Sequence, residues 1–114
     1  MTPSDSPSPP RPPKGMPPAA PEAVPAGWEL ERGALAKTFE FETFRDAITF
    51  MVRGGFEAEA MDHHPEWTNV YTRVSIRLCT HSAGGRVTAL DEHLAGRLEA
   101  VARAHGGRVP ARVP

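Results

Sequence analysis

The stretch MTPSDSPSPPRPPKGMPPAAPEAVPAG, residues 1–27, holds most of the chain's 13 prolines. Each proline removes a backbone donor and fixes φ, so neither a helix nor a strand ladder propagates through it. Of the 114 residues, roughly 80 remain to build a core, which is one small domain. Residues 1–26 therefore read as a disordered or polyproline-like tail, 27–105 as the folded domain and 106–114 as a short frayed tail. A PxxP ligand is the functional reading of the first tail, and a plain solvated tail the structural one.

Regular patterning starts at Trp28. Trp28 and Leu30 alternate with Glu29 and Glu31, and Phe39 and Phe41 alternate with Thr38, Glu40 and Glu42. This predicts a β-hairpin with a somewhat long turn around Arg32-Gly33. Phe44, Ala47, Ile48, Met51 and Val52 then recur at helical spacing, with Thr43 as N-cap and Asp46 three residues on. Gly54-Gly55 inside that helix predicts a weak point or kink. Pro65 disfavours α conformation at His64 and ends the helix near the His63-His64 pair. EWTNVY and RVSIRLCTH read as two further strands, the second with Val74, Ile76 and Leu78 on one face and Ser75, Arg77, Cys79 and His81 on the other. Leu90, Leu94, Leu98 and Val101 form the stripe of a last helix, which a Thr88–Asp91 capping pattern opens. The order ββαββα predicts an α+β domain: one four-stranded antiparallel sheet with both helices on one face.

A formal net charge of -1 supplies no basic footprint for nucleic acid or an anionic membrane. No apolar run reaches the roughly 20 residues of a membrane span, and the N-terminus lacks the pattern of a secretory signal. The single cysteine, Cys79, cannot form an internal disulfide, so the chain reads as cytoplasmic.

Chemistry concentrates on His63 and His64, just past a helix end, and on His81, at the end of a strand whose hairpin partner begins beside the pair. Antiparallel pairing can bring those boundaries together. With an ordinary pKa near ~6.5, imidazoles in one cleft suit proton transfer in elimination or hydration at a heteroatom-bearing carbon. Surface histidines without a role are the plain alternative. A zinc site built from His63, His64, His81 and Glu59 is a third reading, which the absence of CxxC or HExxH spacing disfavours. Glu59 is either a histidine-orienting group or a solvated helix residue, and Asp91 a helix cap, a site residue or both. Trp67 and Tyr71 share strand parity and read as packing residues, Cys79 as a packed thiol, and His93 and His105 as exposed and without function.

Glu59, His63-His64-Pro65, Tyr71, His81 and Asp91, within DHHPEWTNVY, THSAGG and LDEHLA, resemble the pterin-4a-carbinolamine dehydratase family, also known as the dimerization cofactor of hepatocyte nuclear factor 1. The resemblance runs from Trp28 to about Ala102. It implies an enzyme that removes water from 4a-hydroxytetrahydrobiopterin, giving quinonoid dihydropterin after an aromatic amino acid hydroxylase has used the tetrahydropterin. No metal or organic cofactor is implied. His63 and His81 would do the acid and base work and His64 would hold and polarise the pterin. Substrate-binding positions map onto Asp62, His63, His64, Cys79, Thr80, His81 and Ser82, with Glu59 and Asp91 in support. Relatives form homo-dimers or homo-tetramers through sheet edges and helices, and some act as transcription-associated scaffolds, the alternative to catalysis here. Relatives also carry a helix before the tryptophan, where this chain has PPAAPEAVPAG.

Overall fold

The computed structural model describes residues 24–110. Residues 1–23 and 111–114 lie outside the described residues, and with them most of the expected N-terminal tail, most of the PPAAPEAVPAG segment and the end of the C-terminal one. The order is β1 (Glu29–Glu31), β2 (Ala34–Glu40), α1 (Phe44–Met61), β3 (Glu66–Val70), β4 (Arg73–Leu78), a short 3-10 turn (His81–Ala83) and α2 (Ala89–Ala104). The four strands form one antiparallel sheet in the order β1-β2-β4-β3, so β2 and β4 are central. Both helices contribute to a single core with the inner face of that sheet, as the sequence pattern predicts.

The first hairpin is tighter than the pattern suggests. Glu31 pairs with Ala34, leaving only Arg32 and Gly33 in the turn, both at positive φ (48° and 78°). A two-residue turn of this kind matches the twist of its strands, and glycine adopts the second position without steric cost. The second hairpin turns equally sharply at Tyr71-Thr72, since Val70 pairs with Arg73. Tyr71 sits there at φ 51° and is 81% exposed, so it is a turn residue and not the packing partner of Trp67. Trp67 does pack, its ring meeting Phe50 edge-on at 6.2 Å. Trp28, just before β1, is buried against Phe39, but Leu30 within this short edge strand is exposed.

Helix α1 corrects the expected inward stripe. Ala47, Phe50, Gly54, Ala58 and Met61 face the core, whereas Phe44, Ile48 and Val52 are exposed. Both stripes are apolar at helical spacing, i+3 and i+4 in one and i+4 in the other, so periodicity alone does not choose between them. Close approach chooses. A Cβ on Gly54 would lie 2.8 Å from Leu98 Cδ2 on α2 and 3.4 Å from Trp67 Cζ3 on β3, so this glycine lets α1 settle against both. The helix runs unbroken through it, with Thr43 Oγ1 accepting from the Asp46 N–H at 3.1 Å at its start. Gly55 has open space around its Cα.

The two glycines should therefore respond oppositely. Gly54→Ala is expected to destabilise by about 1–2 kcal/mol, because overpacking against the fully buried Leu98 outweighs the helix-propensity gain. Gly55→Ala is expected to stabilise by up to about 1 kcal/mol. Urea unfolding of the two variants checks the pair, and a stabilising Gly54→Ala would contradict the packing argument.

Beyond α2 the chain returns to the sheet. Arg108 exchanges two backbone hydrogen bonds with Glu40, at 2.7 and 2.9 Å, extending the pairing at the end of β2. On the other side, Glu99 of α2 accepts from the Trp28 indole at 3.2 Å and from Lys37 Nζ at 2.7 Å, tying α2 to the first hairpin.

Candidate active site

The C-terminal end of α1 is closed by Asp62, whose left-handed φ of 51° lets its N–H reach back to the carbonyls of Ala58 and Glu59. The next N–H, of His63, also donates to Ala58 O, at 3.0 Å. This double closure is the usual way a helix end satisfies its last carbonyls. It turns the chain so that His63 points inward, 7% exposed, while its neighbour His64 points outward. The two imidazoles thus diverge.

At the end of β4 the alternation of Val74, Ile76 and Leu78 continues one step, and Thr80 is buried. Its N–H donates to Arg86 O at 2.8 Å, and its carbonyl accepts from Ala83 N at 3.1 Å and Gly85 N at 3.0 Å. These bonds pinch the intervening loop, in which Gly84 and Gly85 supply positive φ (75° and 80°), and which presents His81 and Ser82 to solvent. Cys79 is half-buried one residue earlier.

The first turn of α2 joins these two ends. Thr88 and Asp91 form the expected capping box, with the Thr88 N–H donating to Asp91 Oδ2 at 2.8 Å. Asp91 is fully buried, and its Oδ1 lies 2.6 Å from His63 Nε2. Its Oδ2 also accepts from the Thr80 hydroxyl at 2.7 Å. One carboxylate therefore pins the end of α1, the end of β4 and the start of α2, and brings the His63 and His81 segments into register. Oδ2 thus closes the cap and holds the end of β4, while Oδ1 meets His63.

Other expected site residues fall less centrally. His64 Nε2 meets Glu59 Oε1 at 2.9 Å with both side chains largely exposed, so Glu59 pairs with His64 and not with His63. Thr80, expected among the substrate-binding residues, has its N–H, carbonyl and hydroxyl all engaged within the protein. Asp62 is exposed at the helix cap. Thr88 was legible only as a cap, and its hydroxyl, 2.7 Å from that of Thr80, belongs to the same buried group. His93 is half-buried instead of exposed, and its sealed Nε2 has no hydrogen-bond partner. Burial, and then the charge of Arg97, lower its pKa. His105 Nε2 accepts from Arg53 Nη1 across the two helices at 2.9 Å. Among the described residues no three His, Cys, Asp or Glu side chains group as ligands for a metal ion, so the zinc reading finds no cluster.

Comparison with known proteins decides the family. Residues 17–101 match the profile described as Pterin 4 alpha carbinolamine dehydratase. The chain belongs to this family. Similar members of the pterin-4-alpha-carbinolamine dehydratase family include proteins provisionally given that enzyme's name in Opitutus terrae, 61% identical over 66% of this chain and 77% of that one, and in Rhizobium meliloti, 46% identical over 74% and 79%. A crystal structure of a Brucella melitensis protein described as a transcriptional coactivator/pterin dehydratase superposes with a TM-score of 0.64 at 40% identity, over 68% of this chain and 83% of that one. The dehydratase family is one of hydro-lyases, and the chain is an enzyme of that class.

Proposed function

We propose that this protein dehydrates 4a-hydroxytetrahydropterins to quinonoid dihydropterins by histidine acid–base catalysis, without a metal or organic cofactor. The observation that carries the reading is the buried Asp91, which ties His63 to Thr80, the residue just before the turn that bears His81. In the elimination, the N5 lone pair expels the 4a hydroxyl, so an acid must protonate the departing oxygen and a base must take the N5 proton. The protein would bind the pterin at the junction of the two segments. His63, fixed by a carboxylate, and His81, on the exposed loop, would exchange the two protons. His64, on the solvent side, would hold the ring, and Asp62, Cys79 and Ser82 would line the same junction. An aromatic amino acid hydroxylase would supply the substrate in tetrahydrobiopterin recycling, in the cytoplasm. No helix among the described residues is long and apolar enough to cross a membrane.

The deciding experiment follows the dehydration of chemically generated 4a-hydroxytetrahydropterin with and without purified protein. Acceleration over the spontaneous rate is expected. A protein that binds the pterin without accelerating its breakdown would leave the scaffold reading, which the coactivator half of the Brucella protein's description keeps in view.

Self-association belongs to the same proposal. Phe44, Ile48, Val52 and Phe56 are all exposed and succeed one another at i, i+4 on α1, an apolar stripe that a soluble monomer rarely leaves to water. A second copy is the proposed cover, giving a homo-dimer or, with pairing at a sheet edge, a homo-tetramer. Sedimentation should find an oligomer for the parent and a smaller species for Val52→Glu. A parent that stays monomeric at tens of micromolar would refute it.

A further inference from the structure

Buried polar groups fix where protons reside, and around His63 the assignment can be followed from donor to acceptor. Asp91 Oδ2 accepts two hydrogen bonds, from the Thr88 N–H and from the Thr80 hydroxyl. A hydroxyl has one proton to give, so in its 2.7 Å contact with Thr88 Oγ1 the Thr80 oxygen must accept and Thr88 must donate. Thr88 Oγ1 in turn accepts from the Leu90 N–H at 3.2 Å. Every donor in this chain therefore runs from the α2 N-terminus toward the carboxylate, ending on Oδ2. Oδ1 is left for His63. An ionised carboxylate accepts only, so across the 2.6 Å contact it is His63 Nε2 that carries the proton.

The other ring nitrogen is then determined. Neutral imidazole has one N–H, and with it on Nε2 the lone pair is on Nδ1. His63 Nδ1 has no hydrogen bond within the described residues, and it is not sealed either, since His93 Nε2 is the one buried side-chain nitrogen or oxygen without a partner among them. We infer that Asp91, with its polarity set by the Thr80 and Thr88 hydroxyls, is a positioning residue that locks His63 in the Nε2–H tautomer, and that Nδ1 is the atom through which His63 exchanges a proton with substrate. The second half of this inference rests on the dehydratase reading, and the first half does not. It also gives Thr80 a role other than direct substrate contact: it prevents the Asp91 carboxyl from turning.

The test exchanges one proton pattern for its reverse. In Asp91→Asn the Thr80 hydroxyl and the Thr88 N–H still require an acceptor where Oδ2 stands, so the amide oxygen occupies that place and the NH2 group faces His63 Nε2. The imidazole must then accept at Nε2 and carry its proton on Nδ1. Long-range 1H–15N spectra of the histidine rings, recorded at about pH 8.5 where an ordinary imidazole is neutral, distinguish the two forms because Nε2 couples to both ring C–H protons. The parent is expected to show His63 as Nε2–H and the Asn variant as Nδ1–H. A parent that shows Nδ1–H or an even mixture, or a folded Asn variant that keeps Nε2–H, would overturn the tautomer assignment.

Activity separates the second half. For Asp91→Asn, kcat for dehydration should fall on the order of 100-fold with KM changed much less. Full activity despite a reversed tautomer would exclude Nδ1 as the proton-exchanging atom. A parent without dehydratase activity would remove only that half, because the spectra read the tautomer without turnover. If the Asn variant does not fold, the parent spectrum still decides the tautomer. Thr80→Ser should then keep kcat near the parent value and Thr80→Val lower it about 10-fold, and equal activity of the two would remove Thr80 from the positioning chain.

Discussion

His63→Ala is expected to lower kcat for dehydration by about 10²- to 10⁴-fold, the range that a positioned acid or base contributes. His63 combines burial with a short bond to a fully buried carboxylate, so its ring cannot wander between productive and unproductive orientations. His64 has only a solvent-exposed pair with Glu59, and such pairs contribute little to fixing a side chain. His64→Ala should accordingly cost far less in kcat and act mainly on KM. Steady-state kinetics on both variants, with circular dichroism to confirm folding, separates the roles. Equal kcat losses would mean that the buried carboxylate confers no advantage on its histidine, and the assignment of the central proton-handling group would move away from His63.

Asp91→Ala should be the most damaging single substitution for stability, by about 3–5 kcal/mol. It removes the acceptor of three donors at once: His63 Nε2–H, the Thr80 hydroxyl and the Thr88 N–H. Each buried group left unsatisfied costs about 1–3 kcal/mol, and loss of the capping box adds to that. Partial relaxation and entry of water keep the total below the sum. Against the roughly 5–15 kcal/mol that a typical domain possesses, this is a large fraction, and in a domain of this size it should lower Tm by more than about 10 °C. Thermal and urea unfolding monitored together would measure it. A loss below about 1 kcal/mol would show that solvent replaces the carboxylate without difficulty, and that the three ends do not depend on it for their junction.

The elements were legible because their signals are local. The alternation of Val74, Ile76 and Leu78, the Leu90–Leu94–Leu98 stripe and the Thr88–Asp91 cap each lie within a few residues, and each is found where periodicity and capping place it. The histidine motif pointed to the family, and the profile match and the relatives bear that out. Misreadings arose where two local solutions were equally good. Tyr71 has the parity of a strand residue but turns the hairpin, and α1 carries two apolar stripes of which only one meets the sheet.

What the amino-acid order determined by itself was therefore the inventory: which segments extend, which coil, where helices begin, and which residue types gather at two element ends. Tertiary structure alone decided the partners. His63 and Asp91 are 28 residues apart, Gly54 meets Leu98 across two helices, and the Thr80 hydroxyl reaches the Asp91 carboxylate from the end of β4. Hydrogen bonds and close packing depend on distances of a few tenths of an ångström, set only once sheet and helices have closed on one another, and no spacing along the chain encodes them.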